Sequence, residues 1–268
     1  MTSTVHSLSF ASSDLDVTVD DQGRGHPFLL LHGGGGPQTV APFAGLLADQ
    51  RQARVITPVH PGFGGTARPD WLTDVPTLAR VYARLLDELG LEDVAVVGNS
   101  IGGWIAAELA LLGSDRISSV VLVNAVGIQV TGHPIADTFS LTPAELSRLA
   151  FHEPAKFAID PGAVPEAARA VMARNRAALE VYSGPHAMAD TALREHLAKV
   201  THPALVVWGE SDQVVDAEYG RAYAAAIPEA RFELLDRTGH MPQLETPEQL
   251  LPVVWDFADA HAANRPNR

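Results

Sequence analysis

The chain has 268 residues, of which 46% are hydrophobic, and this suits one α/β domain with a single large core. Its formal net charge of −13 and the lack of a basic stripe disfavour nucleic acid and anionic membranes as partners. There is no cysteine, which excludes disulfides and thiolate metal sites. The first residues, MTSTVHSLSF, lack a signal-peptide pattern, and no apolar run approaches the roughly 20 residues of a membrane helix. We therefore expect a cytoplasmic protein.

The predicted elements begin with a hairpin of two edge strands, because HSLSFASSDLDVTV alternates polar and apolar residues. Six short apolar runs follow, rich in Val, Ile and Leu, as in strands that are covered on both faces of a parallel sheet. These runs are PFLLL, ARVITPV, VAVV, SVVLVN, ALVVW and RFELL. Helical patterns accompany them at Thr77 to Leu89, Ile101 to Leu112, Asp216 to Ile227 and Thr246 to His261. The alternation predicts a doubly wound α/β fold.

One long segment interrupts this alternation. From about Thr131 to Thr201 no strand-like run occurs, while TPAELSRLAF and VPEAARAVMARNRAALEVY have helical patterns. A segment of this length is too long for a loop in a compact domain. We predict a core domain formed by residues 1–130 and 202–268, and a helical cap formed by residues 131–201. A second independent domain is the alternative, which the scarcity of apolar alternation in the segment disfavours.

A glycine-bounded serine follows the VAVV run. The stretch Gly98 to Gly102, GNSIG, fits G-x-S-x-G, in which the serine occupies a strained turn between a strand and a helix. The turn exposes the hydroxyl of Ser100 above the sheet and leaves the N–H of Ile101 free to bind an oxyanion. A structural glycine-rich corner is the alternative to a nucleophile. The strand before the motif and the helix after it favour the nucleophile.

A nucleophilic serine requires a base and an acid that orients the base. Among eleven histidines we select His240, which lies in a short loop between the last apolar run and the last helical pattern. For the acid we select Asp212, which directly follows the buried run ALVVW. Asp216 is the competitor, with a helix N-cap role as its simpler interpretation. His32 in LHGGGG is expected to be structural, and no motif indicates a metal or a cofactor.

The order Ser100, Asp212, His240 is that of the α/β-hydrolase triad. With LLLHGGGGP, HPGFGGTARP, GNSIGG, WGESD and GHMPQLETPEQ, the chain resembles the α/β-hydrolase superfamily over essentially its whole length. The resemblance implies a mostly parallel eight-stranded sheet flanked by helices, with a helical cap inserted after the sixth strand. It also implies a second oxyanion donor at Gly34, with Gly35 next best. In some relatives the acid follows an earlier strand, where this chain has Asn124.

The resemblance also orders the candidate reactions. Serine at the elbow, where dehalogenases and epoxide hydrolases of this fold have aspartate, implies acyl transfer on a small, largely apolar ester, lactone or thioester. Hydrolysis of C–C bonds in vinylogous diketones is the alternative, suggested by the glycine loop, by Asn99 and by Arg174 as a carboxylate ligand. Met241-Pro242 after the histidine, where an aromatic residue is usual, and a missing amide in PQTVAPF count against it.

The remaining expectations concern the kind of protein, its substrate contacts, its partners and the packing of the cap. A receptor with slow turnover is a second alternative to an enzyme. Besides Asn99 and Arg174, Met241 is a candidate substrate contact. We expect a small-molecule substrate and neither nucleic acid nor membrane as partners, with homodimer formation left open. The apolar residues of the segment are expected to pack the cap together, two or three of them reaching the substrate: Phe139, Leu141, Phe151, Phe157, Met172, Tyr182 and Met188.

Overall fold

The computed structural model describes residues 2–10, 13–158, 162–186 and 188–263. These residues form one sheet of eight strands. The strands are β1 (Thr2–Ser9), β2 (Asp14–Gly23), β3 (His26–Leu31), β4 (Ala53–Pro58), β5 (Val94–Asn99), β6 (Ile117–Val123), β7 (Ala204–Gly209) and β8 (Arg231–Leu235). Ala11 and Ser12 of the predicted hairpin lie outside the described residues.

The sheet has the order β1-β2-β4-β3-β5-β6-β7-β8. β2 pairs antiparallel with both β1 and β4, and all other neighbouring strands are parallel. This confirms the predicted mostly parallel, eight-stranded α/β-hydrolase sheet. Because the carboxyl ends of the parallel strands meet at one edge, the loops that follow β3, β5, β6, β7 and β8 converge there.

Helices cover both faces of the sheet. They are α1 (Ala41–Gln50), α2 (Val75–Glu88), α3 (Ile101–Leu111), α4 (Pro143–Ala150), α5 (Glu166–Ser183), α6 (Leu193–His196), α7 (Ala217–Ala226), α8 (Pro242–Glu245) and α9 (Pro247–His261). α2 begins two residues earlier than its pattern predicts, because the side chain of Asp74 caps it by accepting a hydrogen bond from Thr77 N at 2.7 Å. No helix among the described residues is long and apolar enough to cross a bilayer.

The core lies on the two sides of the sheet. Successive side chains of a strand point to opposite faces, so that Val96 joins a cluster with α2, α3 and α7, and Val97 joins one with α1 and α9. Both side chains are buried. This two-sided burial is why the central strands have continuous apolar runs.

The segment between β6 and β7 contains α4, α5 and α6 and no strand of the sheet within its described residues. The division at residues 131 and 201 stays a prediction. Residues 1, 11–12, 159–161, 187 and 264–268 of the predicted domains lie outside the described part of the chain.

Candidate active site

Ser100 lies in the turn between β5 and α3, with a φ of 58° that is rare for a residue other than glycine. The turn has no room for side chains beside it. A Cβ at Gly98 would lie 2.0 Å from the carbonyl oxygen of Gly102, and a Cβ at Gly102 would lie 2.4 Å from that of Leu31. The glycines therefore allow a strained turn that presents the Ser100 side chain at the edge of the sheet.

Ser100, His240 and Asp212 form one chain of hydrogen bonds. Ser100 Oγ lies 3.0 Å from His240 Nε2, and His240 Nδ1 lies 2.7 Å from Asp212 Oδ2. The three residues are 8%, 7% and 4% exposed, respectively, so the chain is largely shielded from solvent. With an ionised Asp212, Nδ1 carries the histidine proton and donates it, which leaves Nε2 free to accept from the serine hydroxyl.

The Asp212 carboxylate is held by four hydrogen bonds. Its Oδ1 accepts from Val214 N at 2.8 Å and from Val215 N at 3.1 Å. Its Oδ2 accepts from His240 Nδ1 and, at 2.7 Å, from the side-chain amide of Asn124. Asn124 follows β6, so the position that carries the acid in some relatives here supplies a donor to Asp212, which follows β7.

Asp216, the competing acid, lies elsewhere. Its Oδ1 accepts from Tyr219 N at 2.9 Å, which caps α7, and its Oδ2 pairs with His133 Nδ1 at 2.7 Å. The structure therefore brings Asp212, and not Asp216, to His240.

Asn99, which was predicted as a substrate contact, forms hydrogen bonds to other groups of the protein. Its Nδ2 donates to the carbonyl of His240 at 2.9 Å, and its Oδ1 accepts from Gln243 Nε2 at 3.1 Å. The side chain is 5% exposed. Both polar atoms are thus engaged by protein groups, and the residue connects the turn of Ser100 to the loop of His240.

The glycine loop, residues 33–36, lies beside the serine. A Cβ at Gly33 would lie 3.3 Å from Ser100 Cβ. The loop is closed by a hydrogen bond of 3.1 Å from Gly36 N to the carbonyl of Gly33. Among the described residues, no acceptor is bound to the N–H of Gly34 or to the N–H of Ile101. The two predicted oxyanion donors are therefore free within the part of the chain that the structure describes.

Two buried histidines support the glycine loop from the core side. His32 Nδ1 donates to the carbonyl of Gly33 at 2.7 Å, and its Nε2 accepts from His60 N at 3.1 Å. His60 Nε2 donates to the carbonyl of His32 at 2.9 Å, while its Nδ1 accepts from the hydroxyl of Tyr82. All four ring nitrogens are engaged, which suits two neutral imidazoles and the structural role expected for His32.

Burial keeps these imidazoles neutral. Loss of hydration lowers the pKa of His32 from 6.5 to about 4, although the bond to Gly33 opposes the shift. Burial, and then the neighbouring His32, lower the pKa of His60 well below 6.5. The ring centroids are only 3.6 Å apart, so a proton on either ring would repel a proton on the other.

The end of α4 contacts the loops of the acid and the base. The carbonyl of Leu149 accepts from Gln213 N at 3.0 Å, and that of Ala150 accepts from His240 N at 2.7 Å. A Cβ at Gly239 would lie 2.3 Å from the same Ala150 oxygen. Sequence reasoning missed this contact, because main-chain partners carry no side-chain signal.

An apolar cluster lies next to His240. It contains Ala150, Phe151 and Val214, with Phe157 and the predicted substrate contact Met241 packed against them. The rings of Phe151 and Phe157 stack with centroids 4.3 Å apart.

The remaining predicted cap residues differ in burial. Tyr182 and Met188 are buried and Phe139 is partly buried, whereas Met172 is 41% exposed. Arg174 is exposed on α5. Its neighbour Asn175 is buried against the glycine loop instead, which the sequence reasoning missed. The sequence signal for this contact was that Asn175 lies on the same helix face as the apolar residues Ala178 and Tyr182.

Over residues 2–10, 13–158, 162–186 and 188–263, no group of three His, Cys, Asp or Glu side chains is arranged to hold a metal ion. The polar groups that lie together at the sheet edge are a serine hydroxyl, an imidazole and a carboxylate.

Comparison with known proteins shows the family of the chain. Residues 28–253 match the alpha/beta hydrolase family, and the chain belongs to it. It is 29% identical over 262 residues to the 2-hydroxymuconate semialdehyde hydrolase of Pseudomonas putida, with 92% of each chain covered. It is 30% identical over 276 residues to Lipase 3 of Moraxella sp. (strain TA144), with 97% of this chain and 84% of that one covered. The protein is thus a hydrolase of this family.

A solved structure supports the fold. The chain superposes on a thermophilic esterase from Thermogutta terrifontis with a TM-score of 0.76 and 21% identity, over 98% of this chain and 100% of the other. At this identity the likeness concerns the fold alone.

Proposed function

We propose that the protein is a serine hydrolase that cleaves small, largely apolar carboxylic esters, lactones or thioesters through an acyl-enzyme. The observation that carries the proposal is the unbroken chain of hydrogen bonds from Asp212 through His240 to Ser100, which sits in a strained turn. A serine hydroxyl is a weak nucleophile unless an adjacent base removes its proton. This geometry supplies that base.

The reaction proceeds in two halves. Ser100 Oγ attacks the acyl carbon while His240 Nε2 takes the hydroxyl proton, and Asp212 stabilises the imidazolium. His240 then returns the proton to the leaving oxygen or sulfur, which departs and leaves an ester on Ser100. Water attacks this ester with His240 again as base, and the acid is released with the serine restored.

The negative charge that develops on the acyl oxygen requires donors. In our proposal these are the backbone N–H groups of Ile101 and Gly34, with Gly35 as the next candidate. Each donor is held by the fold before substrate binds, so that little reorganisation is needed during the reaction. Loss of one such donor typically lowers turnover by about 10² to 10³.

The substrate class follows from what surrounds the base. The cluster of Phe151, Phe157, Val214 and Met241 is apolar, and it lies beside His240. We propose that residues 131–201 act as a cap over the site, and that this cluster favours an apolar acyl or alkyl group.

The test is covalent labelling and turnover. A fluorophosphonate probe should add one label to the wild-type protein, and Ser100→Ala should abolish both labelling and hydrolysis of p-nitrophenyl esters of graded chain length. Ser7→Ala, an exposed serine of β1, is the matched control and should label normally. Labelling that persists in Ser100→Ala would refute the nucleophile.

Hydrolysis of C–C bonds in vinylogous diketones is the second candidate. Its support is the similarity over 92% of the chain to the 2-hydroxymuconate semialdehyde hydrolase. The exposure of Arg174 counts against it, because a carboxylated diketone requires a cation that faces the site. A diketone turned over faster than every ester in the same profile would favour this candidate.

A further inference from the structure

One face of α5 contacts two loops of the core. Asn175, Ala178, Leu179 and Tyr182 follow the i, i+3, i+4, i+7 spacing of a helix face. Asn175, Ala178 and Tyr182 are buried, and Leu179 is partly buried. The residues between them are largely exposed, so α5 meets the core along this single stripe.

The apolar members of the stripe pack closely on glycines. A Cβ at Gly34 would lie 2.6 Å from Leu179 Cδ2, and a Cβ at Gly62 would lie 2.9 Å from Ala178 Cβ. The hydroxyl of Tyr182 donates to the carbonyl of Pro61 at 3.0 Å. α5 thus fits against both the glycine loop and the turn that contains Gly62.

Asn175 bridges these two loops with its side-chain amide. Its Oδ1 accepts from Gly64 N at 2.9 Å, and its Nδ2 donates to the carbonyl of Gly35 at 3.1 Å. The N–H of Gly64 donates and the carbonyl of Gly35 accepts, so the partners themselves define which end of the amide is oxygen. The residue is 2% exposed, and a buried amide with both ends bound holds its partners firmly.

The glycine loop depends on such external restraint. Glycine has no Cβ to limit its backbone, and four glycines in a row leave the peptide planes free to rotate. His32 holds the first of them through the carbonyl of Gly33. Asn175 holds the carbonyl of Gly35, whose peptide plane also carries the N–H of Gly36. This N–H donates at 3.1 Å to the carbonyl of Gly33, which shares a peptide plane with the N–H of Gly34.

We propose that Asn175 is a positioning residue that fixes the backbone N–H of Gly34, the proposed oxyanion donor. Through Asn175, the position of this donor depends on how α5 packs against the core. The inference rests on the proposed function and adds a role that neither the triad nor the glycine loop supplies. Gln38 Nε2 also donates to the carbonyl of Gly35, but this exposed side chain gives no connection to α5.

The test uses Asn175→Asp. This variant keeps the shape of the side chain and the acceptor for Gly64 N, and it removes the donor to Gly35. On the best ester of the substrate profile, kcat should fall about 10-fold to 100-fold, somewhat less than for loss of a whole oxyanion donor. KM should stay within about twofold, since the ground-state carbonyl depends little on this donor.

A second measurement isolates the oxyanion. A trifluoromethyl ketone with the same acyl chain adds Ser100 and forms a tetrahedral oxyanion, so its inhibition constant should rise in Asn175→Asp by about the factor lost in kcat. Asn175→Ala removes both hydrogen bonds and should lose at least as much. Glu180→Ala, at an exposed position of α5, is the control and should stay within about twofold of wild type.

The outcomes separate the two proposals. If Asn175→Asp keeps kcat and ketone affinity within twofold of wild type, or raises KM alone, the positioning role is refuted while the serine hydrolase stands. If Asn175→Ala does not fold, Asn175→Asp alone decides. A wild-type protein that neither turns over a substrate nor labels at Ser100 refutes the proposed function, and the positioning role with it.

Discussion

Ser100, Asp212 and His240 lie on loops that leave the ends of β5, β7 and β8, whereas the glycine loop leaves β3 and contacts the inserted helix α5. The three loops that carry Ser100, Asp212 and His240, which we call the triad side, are held mainly by hydrogen bonds within the core. Asn124 and the N–H groups of Val214 and Val215 hold the acid. The glycine loop, which is the oxyanion side in our proposal, is held between His32 and Asn175.

In our proposal, this difference means that two parts of one reaction depend on different parts of the fold. Loops at the ends of paired strands inherit the rigidity of the sheet, which the core stabilises on both faces. A glycine loop has no such intrinsic rigidity and takes its conformation from what packs on it. Changes on the triad side should therefore affect proton transfer, and changes around the glycine loop should affect the stability of the loop and of the oxyanion.

The largest effect is expected at the acid. Asp212→Asn should lower kcat by on the order of 10⁴, as for the corresponding change in serine proteases, because an amide neither fixes the histidine tautomer nor stabilises the imidazolium. Asp216→Asn is the matched control, since Asp216 caps α7 and pairs with His133. Its turnover should stay within a few fold. A greater loss in Asp216→Asn than in Asp212→Asn would contradict the assignment.

The next largest effect is expected at Gly239, where the loop of His240 contacts the inserted segment. Gly239→Ala should destabilise the protein by about 3 kcal/mol and impair turnover, because the added methyl meets the carbonyl of Ala150, which accepts from His240 N. Gly45→Ala in α1 meets no atom within 4 Å and should be neutral or stabilising. Urea unfolding and kcat measure both. Equal urea midpoints for Gly239→Ala and Gly45→Ala would mean that α4 moves to accommodate the added methyl group.

Acid should weaken the oxyanion side. The pKa of His32 is about 4 in the folded protein and 6.5 for a solvated histidine in the unfolded chain, so between these pH values the unfolded chain binds more protons. Stability should be fully present above pH 6.5 and should fall by about 3 kcal/mol as the pH drops towards 4, with His60 acting in the same direction.

Urea unfolding at a series of pH values tests this sign. His32→Gln should flatten the dependence between pH 6.5 and 4, whereas His6→Gln, a substitution in the edge strand β1, should leave the slope unchanged. A wild-type slope that persists in His32→Gln would assign the acid sensitivity to other groups.

The smallest effect is expected at Arg174. Because this side chain is exposed, Arg174→Ala should change the specificity constant for the best ester by less than about threefold. The same variant should be assayed on a carboxylated diketone. A large selective loss on the diketone, with wild-type turnover there above that on any ester, would favour C–C hydrolysis and place the arginine in the site.

Much of the fold was predictable because its signals are local. The buried strands appear as apolar runs, and the helices between them have an apolar period and capping residues such as Asp74. The strand order was not visible in these patterns and entered only through the resemblance to a family. Pairing between β3 and β5, which are more than sixty residues apart, depends on contacts that leave no mark in either strand.

The candidate site divides in the same way. Ser100 was predictable because steric crowding requires glycines on both sides of it, and Asp212 and His240 because each follows a strand. Arg174 and Asn175 show the limit. They are adjacent on α5, and which of them faces the glycine loop depends on how the helix is rotated against the core.

The sequence by itself determined the α/β class and the three residues of the chain of hydrogen bonds, since each has a pattern within a few residues, while the bounds of the inserted segment stay a prediction. Only the tertiary structure decided the partners of Asn99, Asn124 and Asn175. An asparagine amide donates and accepts equally well and favours no partner until packing places one within about 3 Å. Asp212 lies 88 residues from Asn124 along the chain, and Gln243 lies 144 residues from Asn99.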